Sequence, residues 1–228
     1  SDMTIINMRE SWQTSSQPIS GPPPTGSERE WVIHYPGSSS SQPKTDSEMP
    51  QYLRNMQNYY VTDRGYSLGY NWIVCNATGS VWESRGYDYR NAANSGGKVS
   101  GNHNSVSSSI MVTCSNSDAV SAAAVDSVNG LIAERSSFTV VPHSAVEWTE
   151  CCGVSLTGAI ASGQIGQGAS PVDPDVPPVP VECVKAAPGD GGWSLMRKLG
   201  MDPTDVVQRA AFYDANYIVY PDVTVCRP

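Results

Sequence analysis

Seventeen residues, "GQGASPVDPDVPPVPVE" from Gly166 to Glu182, decide how this chain can be organised. Five prolines among small and acidic residues remove the backbone donors that a helix or a central strand needs, so the stretch reads as an extended, semi-stiff spacer. The chain then divides into an irregular lead-in over 1–29, a main domain over 30–165, a linker over 166–181 and a tail over 182–228. Of the 228 residues 39% are hydrophobic and 16% charged, which is enough apolar material for the main domain to bury a core.

Within the main domain two periodicities alternate. "EWVIHY" is a short apolar, β-branched run fit for a buried strand. "SEMPQYLRNMQNYYVTDRG" follows, with Leu53, Met56 and Tyr60 at helical spacing and Gly65 as its stop. "GYNWIVC", "SVWESRG" and "SSSIMVTC" read as strands, the first two joined by the turn "NATGS". A second helix fits "SDAVSAAAVDSVNGLIAERS", where Val125, Val128 and Ile132 form one stripe, and the strand "FTVV" comes after it. Strands interleaved with helices predict an α/β fold, a mixed central β-sheet flanked by helices.

A formal net charge of −8 with no basic stripe excludes a phosphate-backbone partner, so no nucleic acid is expected. No apolar run is long enough for a membrane span, and no basic flank with an apolar core marks a secretory signal. The six cysteines are too few and too spread for a disulfide scaffold. Cys75 and Cys114 each end a predicted strand, and Cys183 and Cys226 bracket the tail; either pair is a candidate disulfide in an oxidising setting, and both remain open.

"HSAVEWTEC", His143 to Cys151, holds an imidazole and a thiol on one short loop, a pairing suited to a borderline cation if a third ligand lies elsewhere. Only three histidines exist. His34 closes the strand "WVIHY" and opens into the loop "PGSSSS", a typical place for a site residue, the alternative being a local hydrogen bond. His103, in "GNHNSV", reads as solvated.

In order along the main domain, "WVIHYPGSSS", "YLRNMQNYYVTDRGYSLGYNWIV", "VWESRGYDYRNAANS", "GNHNSVSSSIMV" and "VPHSAVEWTECCG" resemble the type-2 N-acetylmuramoyl-L-alanine amidases and peptidoglycan recognition proteins, the zinc amidase fold of many phage lysins. The resemblance implies that His34, His143 and Cys151 bind one Zn2+. Three protein ligands with a fourth position left for water is the layout of a catalytic site, which lowers the water's pKa from about 15.7 towards roughly 7 and polarises a carbonyl. By the same resemblance Tyr70, in "LGYNW", bonds the attacking water or the developing oxyanion, its other reading being a core aromatic. Thr149 implies a second polar contact to the tetrahedral intermediate or, alternatively, a cap on the local turn. Trp72 and Asn94 are the implied substrate contacts in the groove.

Two departures stand out. Where relatives carry "GAH" or "GSH" this chain has "AAN", so Asn94 replaces a groove histidine and puts substrate contacts in doubt. Where they carry proline after the ligand cysteine it has Cys152, which leaves open which thiol coordinates, with spacing favouring Cys151. The tail resembles a LysM repeat of βααβ order, in which Gly189, Asp190 and Asn216 are implied contacts to an N-acetylglucosamine glycan, and Trp193, Leu195 and Leu199 are core. A Cys183 to Cys226 bridge would stabilise so small a module.

Together these imply a peptidoglycan hydrolase that cuts the amide between N-acetylmuramic acid and L-alanine of the stem peptide. A phage endolysin acting at the bacterial cell wall as a monomer is expected, released from the host cytoplasm or exported by another route. The muropeptide would lie in the amidase groove, and the tethered tail would raise the local substrate concentration. The alternatives are a recognition protein that binds without cutting, a structural zinc, or a virion component in which activity is secondary.

Overall fold

The computed structural model describes residues 6–37, 41–99, 101–116, 118–168, 183–185, 199 and 224–226. The main domain is a six-stranded sheet in the order β1-β4-β3-β5-β2-β6, formed by β1 (Ile6–Asn7), β2 (Glu30–His34), β3 (Trp72–Val74), β4 (Val81–Glu83), β5 (Ser107–Val112) and β6 (Thr139–Pro142). Every neighbouring pair is parallel except β3 and β4, which the short turn after Cys75 joins as a hairpin. This is the expected mixed sheet with helices on its faces.

Alternation along the strands sends side chains to two cores. Trp31, Ile33, Trp72, Val74, Ile110 and Val112 face α2 (Ala122–Ala133) and α4 (Gly153–Ala161), while Ile73 and Met111 face α1 (Met49–Tyr59) through Met49 and Leu53. The stripe of Val125, Val128 and Ile132 is buried as its spacing predicts, and Ser121 caps α2 by accepting from the Ala124 amide at 3.0 Å. Helix α1 does not stop at Tyr59. It widens into a π-helical turn, Tyr60–Arg64, which ends at Gly65 with φ 75°.

The lead-in is part of the domain and not an irregular approach to it. Strand β1 pairs with β4, and Trp12, 1% exposed, donates its indole N–H to the Glu83 carbonyl at 2.7 Å. The buried Arg9 pairs with Glu83 at 3.0 Å and with Asp88. These contacts cover what would otherwise be the outer edge of β4.

Two further expectations change. Cys75 and Cys114 are free buried thiols, because Cys75 packs in the α1-side core and Cys114 in the α2-side core, on opposite faces of the sheet. His103 is buried rather than solvated, with Nε2 2.5 Å from Glu30 Oε2. In the tail, β7 (Cys183–Lys185) and β8 (Thr224–Cys226) pair antiparallel with Cys183 opposite Cys226. Gly189, Asp190 and Asn216, like most of the linker, lie outside the described residues.

Trp12→Ala leaves a large void beneath β4 and orphans the Glu83 carbonyl, so a loss of about 3–5 kcal/mol is expected. Urea unfolding of the variant measures it. A loss below 1 kcal/mol would mean that the lead-in rests on the domain without supporting it.

Candidate metal centre

Strands β2 and β6 are parallel neighbours, and Ile33 stands opposite Pro142. The next residues, His34 and His143, therefore leave the sheet side by side at its carboxyl ends, where open parallel sheets commonly bind ligands. Their rings lie 4.2 Å apart between centroids. Pro142, which fixes φ near −70°, starts the helical turn α3 (His143–Val146) that carries the second ring.

The third group arrives from the start of α4. Cys151 Sγ lies 3.6 Å from His34 Nδ1 and accepts from the Tyr35 amide at 3.3 Å. Cys152 turns away into the core, its sulfur 3.6 Å from Thr157 Oγ1, and both thiols are free. The geometry therefore selects Cys151, as spacing did.

One donor atom from each of His34, His143 and Cys151 lies within 4.8 Å of the others. Tetrahedral zinc with N ligands at about 2.0–2.1 Å and S at about 2.3 Å separates N from S by roughly 3.6 Å, the distance found between His34 Nδ1 and Cys151 Sγ. His143 Nδ1 is buried and has no hydrogen-bond partner among the described residues. An orphaned imidazole nitrogen beside a thiol is costly unless something else takes its lone pair. The three donors thus fit one metal ion.

The far nitrogens are held. His34 Nε2 lies 2.7 Å from Asn94 Oδ1, and His143 Nε2 lies 2.9 Å from Glu147 Oε2. Burial, and then the nearby His143, hold the His34 pKa well below the usual histidine range, while the Asn94 bond opposes this weakly. Burial also lowers His143, against the raising effect of Glu147. Both rings are neutral at pH 7 and can act as ligands. Burial pushes the Cys151 thiol well up, and Cys152 adds to this, so without a metal it keeps its proton.

Tyr70 sits at the inner wall of the cleft, its ring 5.1 Å from that of His34. Burial raises its pKa well above the usual phenol range, so it remains a neutral hydrogen-bonding group. Its partner is the Tyr60 hydroxyl, which the π-helical turn aims into the same cleft. The Tyr70 loop is fixed by the buried Arg85, which donates to the carbonyls of Leu68, Ser67 and Arg90. Gly69 is needed for close approach, since a Cβ there would meet the Ala92 carbonyl carbon at 3.1 Å. Thr149 Oγ1 accepts from the Cys151 amide at 3.1 Å, the turn cap of its second reading, and it also lines the cleft. That bond uses an oxygen lone pair and not the hydroxyl proton.

Two sequence expectations are corrected. Trp72 belongs to the core beneath the sheet, 4% exposed and packed on Tyr87, because strand alternation turns it toward α2. Asn94 is fully buried and touches the metal-site histidine instead of the cleft. The cleft itself encloses about 620 Å³, within the usual range for a ligand site. Its rim holds Arg64, Tyr66, Glu147 and Trp148, which the sequence reading passed over; Trp148 is 57% exposed. Glu147 had a signal, a carboxylate four residues after His143 on a helical turn.

No family profile matches the sequence, and no curated protein matches it. Solved structures do. Human PGRP-IBETAC in complex with glycosamyl muramyl pentapeptide is 19% identical, with a TM-score of 0.58 over 69% of this chain and 94% of that one. Peptidoglycan recognition protein LE in complex with tracheal cytotoxin, a monomeric diaminopimelic acid-type peptidoglycan, is 22% identical, with a TM-score of 0.59 over 72% and 96%. Drosophila PGRP-LB is 18% identical, with a TM-score of 0.56 over 72% and 98%. The main domain of this chain has the fold of the peptidoglycan recognition proteins and type-2 amidases.

Proposed function

We propose that the chain is a zinc-dependent N-acetylmuramoyl-L-alanine amidase that works on bacterial peptidoglycan as a phage endolysin. The observation that carries the reading is the convergence of His34, His143 and Cys151 on one point, with the Tyr70 ring 5.1 Å from that of His34, inside an open cleft. A protein that only bound muropeptide would need neither a buried thiol nor an orphaned imidazole nitrogen at the floor of that cleft. The folds of neighbours solved with muramyl peptides support the substrate class.

When bound, zinc would polarise the scissile carbonyl and make a water nucleophilic at neutral pH. The chain's residues supply the rest. Tyr70, kept neutral by burial, would turn its one hydroxyl proton from the Tyr60 oxygen to the carbonyl oxygen where negative charge develops. Thr149, which also lines the cleft, offers a second donor. The proline-rich linker and the tail suit a wall-binding module that keeps the catalytic domain on an insoluble polymer.

The purified chain should bind one zinc and release peptides with free N-terminal L-alanine from cell walls, and chelation should abolish the release. Cys151→Ser should cost at least about 100-fold in rate together with the metal, whereas Cys152→Ser keeps both. Intact walls after treatment with zinc-loaded protein would overturn the amidase reading. Tyr70→Phe should bind zinc as the parent does and lose about 10²–10³-fold in kcat; an unchanged kcat would remove Tyr70 from the chemistry.

Metal uptake must expel the proton that burial keeps on Cys151, while the two imidazoles have none to lose near neutrality. Apparent zinc affinity should therefore rise about tenfold per pH unit between roughly pH 7 and 8. A competition titration against a chelator of known proton affinity reads the slope, and a flat profile would mean that no thiol proton is displaced.

A further inference from the structure

Asn94 and Ser95 are consecutive, and each leads to a different histidine of the centre. Asn94 Oδ1 meets His34 Nε2 at 2.7 Å. Ser95 Oγ donates to Glu147 Oε1 at 2.8 Å, and the other oxygen of that carboxylate meets His143 Nε2 at 2.9 Å. We propose that this dipeptide is a tautomer lock, a pair of positioning residues that keeps both imidazoles protonated at Nε2 and turns both Nδ1 lone pairs toward Cys151.

The direction of each bond follows from its far end. The Ser107 hydroxyl donates to the His103 carbonyl at 2.7 Å, so toward Asn94 its oxygen can only accept. It accepts from Asn94 Nδ2 at 2.9 Å. The amide is thereby oriented with Oδ1 toward His34, and an amide oxygen can only accept, so His34 Nε2 must carry the proton. The Asn94 backbone is held as well, its N–H donating to Asn104 Oδ1 at 2.7 Å. On the other branch a carboxylate accepts at both oxygens, from Ser95 Oγ–H and from His143 Nε2–H.

The following residues clamp the same turn. Lys98 donates its backbone N–H to the Val146 carbonyl at 3.1 Å and its ammonium to the Ser144 carbonyl at 2.7 Å. The segment that lacks the groove histidine of the resembling proteins is therefore built against the floor of the site. Asn94 is buried beneath the cleft against His34, while Ser95 holds Glu147 from the cleft wall.

This inference rests on the metal reading, but its first test does not. Long-range proton–nitrogen NMR of the metal-free protein reads each imidazole's tautomer directly. His34 and His143 should both show the Nε2–H form, and an Nδ1–H form at either ring would overturn the lock whether or not zinc binds. Asn94→Leu, which fills the site without accepting, should release His34 to a mixture of tautomers, leave His143 unchanged and weaken zinc binding about 10–100-fold. Asn94→Asp, which still accepts, should restore the Nε2–H form and most of the affinity. Ser95→Ala should weaken zinc binding by a smaller factor with His34 unaffected. Parental tautomers and parental affinity in Asn94→Leu would refute the proposal. Correct tautomers in a protein that binds no zinc would instead refute the metal reading and leave the lock standing.

Discussion

The in-register pairing of β2 with β6 is the constraint on which the rest depends. Parallel neighbours lie about 4.8 Å apart and end together, so residues that follow a matched pair emerge on a common front. Ile33 and Pro142 are that pair, and the two imidazoles follow them with 4.2 Å between centroids. A slip of one residue would carry His34 to the other face of the sheet, among the apolar side chains packed on α2. The helix α4, buried through Val154 and Leu156, then sets the thiol of its preceding loop against this pair.

The order of the polar groups outward from that pair is equally physical. Each ring has one nitrogen tied to the protein and one turned inward, and the ties become more hydrated with distance. Asn94 is completely buried, whereas the Glu147 side chain is 29% exposed at the cleft rim. His34 therefore sits in fixed, dry surroundings and His143 in adjustable ones. A substrate entering from the rim would first meet the side of the site that can accommodate it.

Much of this was legible in the sequence because it depends on periodicity. The central strands are short runs buried on both faces of the sheet, and helices α1 and α2 each bury one stripe; both signals survive in the order of residues. Helix α4 was missed because "GVSLTGAIA" is small and apolar on every side and shows no stripe. The lead-in was misjudged because its contribution is a two-residue strand and two single side chains, Arg9 and Trp12, with no periodic pattern. The grouping of His34, His143 and Cys151 was readable through a resemblance, since no local rule links His34 to a loop more than a hundred residues later. Asn94 was misassigned for a different reason: its role is decided by a hydroxyl thirteen positions on, Ser107, and no pattern of residues records which way an amide points. Trp72 was an aromatic next to a motif, and only the pleat decides which side of the sheet such a ring occupies.

The thiols of the main domain carry a last consequence. Cys75 and Cys114 are divided by the sheet, and Cys152 lies in the core near Thr157, so the domain holds together without a single covalent cross-link among its described residues. Folding then asks nothing of the surrounding redox potential, and the same structure is reachable in a reducing cytosol or in an oxidising exterior. Cys151 alone among these sulfurs borders the open cleft. An oxidant would meet the thiol beside the two histidines long before it met the sulfurs that the architecture encloses.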